Sequence, residues 1–338
     1  DHNVIQIGER WSGVASNAGK ADAYEKYVAK WGADWVDTRV QEGKLQVRLK
    51  PLSEYRPLFD EIGRFLIVQS EEVTDRYLTA PIHINVTHPQ QTLKPQGGDS
   101  VLEVMQNNID AIVAQREATG QPMMPHINHP NFGWAVTAEE FMQLKGEKFF
   151  EVYNGHPSVR NEGDETHASM ERFWDIVLTW RLGVLDLPVM YGIATDDAHN
   201  YHDEAIGKSN PGRGWVVVRS RYLTPEHLIR AMEVGDFYAS SGVVINAINH
   251  DTKGIELSIE QISDEHYTTY FIGTRKDFDP AHEPYRAGNG DPVRVTHRYS
   301  DSIGTVLAKV EGISPSYTYQ GDEIYVRAKV VSTKSMIN

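Results

Sequence analysis

The chain has 338 residues, 40% of them hydrophobic, no cysteine, and a formal net charge of −14 at pH 7. Without cysteine there are no disulfides and no thiolate metal sites, so any metal must rest on His, Asp or Glu, and the acidic balance speaks against a nucleic-acid backbone as the main partner. No apolar run reaches the roughly 18 residues of a membrane-spanning helix, and the length predicts two domains, or one large barrel with an appendage.

The sequence opens on DHNVIQIGERW, with neither methionine nor a targeting segment, and reads as the middle of a longer chain. ADAYEKYVAKWG and LSEYRPLFDEIG predict short helices, RFLIVQSEE an apolar strand ending in Glu71 and Glu72, and APIHINVTH a second strand carrying His83. SVLEVMQNNIDAIVAQREATG places Val101, Met105, Ile109, Ile112 and Val113 at helical spacing and ends at Gly120. MMPHINHP is a short strand. TAEEFMQLKG opens with a capping box from Thr137 to Glu140. KFFEVYNGHP is a strand, SMERFWDIVLTWRLG a helix, VMYGIATDDAH a strand, RGWVVVRS another, and TPEHLIRAMEVG a helix with Thr224 as N-cap and Pro225 at N1.

Strands alternating with helices imply parallel βα units, though the spacing does not separate a closed barrel from an open sheet. Polar residues gather at the expected C-terminal ends of successive strands: Glu71 and Glu72, His83, His126 and His129, Glu151 and Asn154, and Asp196 to His199. In a (β/α) barrel those ends converge on one mouth. From about residue 242 the texture changes to two-residue alternation between Gly, Asp, Asn and Ser turns. That predicts an antiparallel β-sandwich-like domain, residues 242–338, behind a first domain of residues 1–241.

Each polar motif has an ordinary reading when taken alone. Asp197 and His199 form a D-x-H pair whose side chains point the same way on an extended segment, yet Asp and His are common in loops. His129 precedes a proline, as many turn residues do. SEEVTD is the pattern of a solvated loop, and His83 in PIHIN that of a core histidine. Asn154 and His156 in FEVYNGH are placed to contact a ligand. Phe132 and Trp134 are placed either to wall an aromatic leaving group or to pack in a core. The combination is more specific: five successive strand ends each deliver an oxygen or imidazole ligand. Imidazole plus carboxylate suits zinc, manganese or iron, and neither a phosphate loop nor a G-x-S-x-G elbow offers another chemistry.

In this order the motifs resemble the PHP superfamily (polymerase and histidinol phosphatase type). DHN resembles its T-D-H element, SEE the element whose glutamate bridges two metals, HINHPNF its H-P element, EVYN its E-x-x-N strand and ATDDAH its D-x-H element. The flanking text is closest to the carbaryl-hydrolase-like metallohydrolases. The resemblance covers roughly residues 1–240 and implies a distorted (β/α)7 barrel with two or three divalent ions. By position it implies His2, Glu72, His83, His129, Asp197 and His199 as ligands, with Asp196 beside them among the catalytic residues. The family's first strand, with its H-x-H ligands, has no counterpart after Asp1, so the barrel is expected to lack that strand and to hold its first metal poorly. The resemblance also implies export, to the periplasm or the cell exterior.

The activity so implied is hydrolysis of an ester, carbamate or phosphoester of a small-molecule substrate by a metal-bound hydroxide. The other reading is a non-catalytic or impaired binding protein that engages a glycan or protein through its C-terminal domain, with Tyr317, Tyr319 and Tyr325 as a contact surface. Tyrosines at such places more often pack between sheets.

Overall fold

The computed structural model describes residues 2–3, 8–14, 18–201 and 204–334. The first elements form a small antiparallel sheet that the sequence pattern does not announce. Strand β1 (Arg10–Gly13) is followed by helix α1 (Ala18–Trp31), β2 (Thr38–Gln41), β3 (Lys44–Leu49) and helix α2 (Leu52–Phe59), in sheet order β1–β3–β2. Glu42 and Gly43 link β2 to β3 with φ of 51° and 72°. Positive φ at both positions gives the two-residue turn whose twist matches that of its strands.

The central sheet contains β4 (Ser70–Tyr77), β5 (Ala80–Thr87), β6 (Met124–Ile127), β7 (Phe149–Asn154) and β8 (Tyr191–Thr195), in that spatial order. Its helices are α3 (Val101–Thr119), α4 (Ala138–Phe141) and α5 (Met170–Gly183). Local chemistry sets their ends. Ser100 caps α3 by accepting from the Glu103 amide, Gly120 closes it at φ 68°, and Thr137 with Glu140 forms a reciprocal capping box on α4. The sheet is amphipathic. Val73, Ile82, Ile84, Val86, Ile127 and Phe150 join Val104, Met105, Ile109 and Ile112 of α3 and Phe141 and Phe173 in one buried core. Each such side chain contributes about 1.5–3 kcal/mol by leaving water.

This architecture overturns the distorted (β/α)7 barrel. The described residues form six separate sheets, and none closes on itself. Only β6, β7 and β8 are parallel; β4, β5 and β6 run antiparallel to one another. The cause is local. The second strand of the RFLIVQSEE–APIHINVTH pair follows the first after only Leu78 and Thr79, with Tyr77 opposite Ala80 and Leu78 at φ 52°. A two-residue turn makes a hairpin, whereas a parallel partner needs a crossover of a dozen or more residues. The strand also starts later than the apolar run suggests, at Ser70, and leaves Phe65 exposed.

Beyond β8 come β9 (Trp215–Val218), α6 (Pro225–Glu233) and β10 (Phe237–Ser240), with β9 and β10 paired antiparallel. The rest is antiparallel β: β11 (Ile245–His250), β12 (Gly254–Ile259), β13 (Tyr267–Arg275), β14 (His282–Glu283), β15 (Arg298–Tyr299), β16 (Thr305–Glu311), β17 (Ser316–Thr318) and β18 (Glu323–Ser332). Sheets β11–β12–β17 and β16–β13–β18 meet where the buried Phe271 ring stacks on Tyr317, 5.6 Å between centroids. The tyrosines considered as a contact surface include two whose hydroxyls are used internally: Tyr317 donates to Glu323 and Tyr325 to Asp175 on α5. Asp175 also takes Arg327 of β18 through both oxygens at 2.8 Å, and Arg172 reaches the carbonyls of Tyr299 and Ser300. No described helix is long and apolar enough to cross a membrane.

Just before the start of β7 lies a buried carboxyl, Glu147. Its Oε1 accepts from the Lys148 and Phe149 amides and its Oε2 has no partner. Burial raises its pKa well above the carboxylate range. Nearby, the buried guanidinium of Arg181 donates to the carbonyls of Met142, Leu144 and Pro188, and burial lowers its pKa to about 10. As pH rises through the ordinary carboxyl range the unfolded chain loses the Glu147 proton while the folded chain keeps it. Stability from this group is therefore full below that range and declines until the raised folded pKa is passed. Glu147→Gln keeps the acceptor and cannot ionise. We expect it to match wild type at pH 4 and to gain about 1–3 kcal/mol at pH 8, read from urea melts at both pH values. An equal difference at the two would show that ionisation is not the cause.

Candidate metal centre

The face of the central sheet opposite the core is polar, and alternation puts it there. Glu72 and Thr74 of β4, His83 and Asn85 of β5, and His126 of β6 all lie on this side, with Thr74 opposite His83, Glu72 opposite Asn85, and Asn85 opposite His126. Val73, Ile84 and Ile127 take the other side. The polar residues therefore share a sheet face rather than the C-terminal ends of parallel strands.

Glu72 is the centre of the tightest group. Its Oε1 is 2.9 Å from His83 Nδ1 and its Oε2 is 3.3 Å from His2 Nδ1. Ligand atoms of His2, Glu72 and His83 all fall within 4.8 Å of one another. His2 reaches this place because residues 2–3 run along the open edge of β4: His2 bridges Glu72 in parallel, and buried Asn3 accepts from the Thr74 amide and donates to the Leu93 carbonyl. Thr74 Oγ1 lies 2.6 Å from His2 Nδ1, and Asn128 donates to Glu72 and Asn85 at 3.2 Å. Burial opposes the ionisation of Glu72. His83 outweighs it, with help from His2 and His129, and the carboxyl is held at about 2. His83 Nδ1 is near this carboxylate but is buried without a hydrogen bond. Close donors that are not hydrogen-bonded to each other are what a cation between them would satisfy.

His129 extends the group. Its ring meets those of His83 and Phe132 edge-on, with centroids 5.1 Å away in each case. Burial lowers its pKa, which favours the neutral, metal-binding imidazole. Its backbone is held at φ 23° and its amide donates to Glu151 Oε2 at 2.8 Å. A side-chain-bearing residue at positive φ is strained, and such strain concentrates at functional sites. Asp197 shows the same feature at φ 48°.

The remaining predicted residues do not join the group directly. Buried Asn154 ties Glu151 Oε2, at 2.8 Å, to Asp197 Oδ2, at 3.3 Å, and its own oxygen accepts from the His156 amide. Its amide is thus engaged by two carboxylates of the chain itself. Asp196 turns to the next loop, where the amides of Gly212, Arg213 and Gly214 donate to it. His199 is 57% exposed; its Nδ1 lies 2.7 Å from the Asp197 carbonyl and its ring meets His156 at 5.0 Å. Phe132 faces the histidines, whereas Trp134 stacks on His167 at 3.8 Å. Asp1 and His202 lie outside the described residues.

Asn128, Thr74 and Asn85 escaped the sequence reading. Their signal was present: Thr74 and Asn85 each stand two residues from a glutamate or histidine already singled out, on the same strand face, and Asn128 stands two residues past His126, just beyond β6. A cavity of about 480 Å³ beside the D-x-H loop is lined by Asn154, His156, Arg160 and Arg213; one of about 610 Å³ lies apart, between β8, β10 and the C-terminal strands. Set against protein-family models, curated proteins and solved structures, the chain matches none.

Proposed function

We propose that the chain is a divalent-metal-dependent hydrolase of an ester, carbamate or phosphoester bond. The observation that carries this reading is the His2–Glu72–His83 group, with ligand atoms within 4.8 Å and a buried imidazole nitrogen lacking a hydrogen bond. The ordered PHP-type motifs support it. Two imidazoles and a carboxylate, without sulfur, suit zinc, manganese or iron. A divalent ion there would supply an activated water near neutral pH and polarise the oxygen of the scissile group.

The chain's own residues do the positioning. Thr74 orients His2, and Asn128 fixes the Glu72 carboxylate, as outer partners of metal ligands do. Phe132 presents an apolar ring to His83 and His129, which suits an aromatic leaving group and keeps bulk water off that side. His156 and His199 are the groups we assign to protonating the leaving group. Chelator-stripped protein should lose hydrolysis of an aryl carbamate or an aryl phosphate, and Zn²⁺ or Mn²⁺ should restore it. The substrate that recovers the higher kcat/KM identifies the class. Full turnover in stripped protein would sink the proposal.

A further inference from the structure

We infer that His126 and Glu151 hold a second divalent cation of the same borderline class. The inference rests on the hydrolase reading in taking this sheet face to be cation-binding. His126 is 6% exposed, and both of its ring nitrogens are buried without a hydrogen bond. Buried polar atoms are nearly always paired, so an imidazole with neither nitrogen satisfied calls for a partner that protein atoms alone do not provide. Glu151, also buried, is the group that faces it. Its Oε2 accepts from the His129 amide and from Asn154, its Oε1 accepts from Thr195, and Oε1 stands 3.6 Å from His126 Nε2.

That separation is longer than a direct pairing and matches two ligands of one ion. A direct imidazolium–carboxylate hydrogen bond would draw the atoms to about 2.7–2.9 Å. Two ligand atoms each about 2.1 Å from one ion, at an angle of about 110–120°, stand about 3.4–3.6 Å apart. The rest of the carboxylate is already oriented, as a metal ligand requires. Asn154 brings Asp197 of the loop up to the same carboxylate. His129 joins the two sites, with its ring against His83 and its amide on Glu151.

The test counts metal, not turnover. Stripped full-length protein is titrated with Zn²⁺ alone by calorimetry, and the bound metal is measured by atomic emission. Wild type should bind two equivalents. His126→Asn should lose one or weaken it at least ~10-fold, Glu72→Gln should lose the other, and the double variant should bind none. Glu151→Gln makes the same test if His126→Asn does not fold, because its amide can still accept on the Oε2 side and donate to Thr195. Two equivalents retained at wild-type affinity in a folded variant at either position would overturn the inference. A single wild-type equivalent, lost in Glu72→Gln but kept in His126→Asn, would overturn it and leave the hydrolase reading standing. No zinc bound by wild type would remove both.

Discussion

Arg327→Met is expected to destabilise the chain by about 3–5 kcal/mol, the cost of stripping one partner from a buried ion pair. Asp175 on α5 and Arg327 on β18 retain only 5% and 10% side-chain exposure. Both carboxylate oxygens are engaged at 2.8 Å, Tyr325 adds a hydroxyl at 2.8 Å, and the guanidinium lies 5.2 Å from the Trp174 ring. Gly304, at φ 67°, completes the enclosure: a Cβ there would come within 2.6 Å of the Asp175 carboxylate. With methionine at 327 the carboxylate keeps its place but has only the tyrosine to balance it. Asp175→Leu should cost a similar amount. The double variant should recover much of the loss, since neither charge then stays unpaired in the interior. Urea melts of the two single variants and the double variant measure this. Arg327→Met within 1 kcal/mol of wild type would mean that water reaches Asp175, and that the α5–β18 contact is held by packing instead.

The fold was legible where periodicity and end signals agree. The α3 stripe from Val101 to Ile112 follows from helical periodicity, and the Thr137 capping box and the Thr224–Pro225 start of α6 from side-chain chemistry confined to one turn. Topology was less legible because it hangs on two residues. Leu78 and Thr79 carry no glycine, proline or asparagine to mark a turn, yet they make β4–β5 a hairpin and remove the parallel start that a barrel requires. The ligand types were legible one by one. Their grouping was not, because it follows from cross-strand register. Register sets Thr74 opposite His83 and Asn85 opposite His126, and so gives the polar face proposed to bind metal a threonine and an asparagine that no single motif contains. The same register explains why Glu71, next to the central Glu72, faces the core side and accepts from the Leu93 amide.

Glu72→Gln should lower Zn²⁺ affinity more than ~100-fold, beyond the 10- to 100-fold typical of losing an outer partner of a ligand, and should abolish any metal-dependent hydrolysis. Glutamine fills the same volume and keeps an oxygen for Asn128, so the change is one of charge. Without cation, the carboxylate in wild type is balanced by the histidines around it and the Asn128 amide. The metal-free variant should therefore melt within a few degrees of metal-free wild type, separating ligand loss from unfolding. His199→Ala sets the contrast. That ring is 57% exposed and is held to the Asp197 carbonyl, so its loss should change zinc affinity by less than about threefold while slowing turnover if it protonates the leaving group. Asp197→Asn should fall between the two, since Asp197 meets Glu151 only through Asn154. Zinc affinity measured on the three variants tests this ranking. Were His199→Ala to abolish binding and Glu72→Gln to leave it intact, the ions would belong to the loop after β8, and the face shared by β4, β5 and β6 would be scaffold.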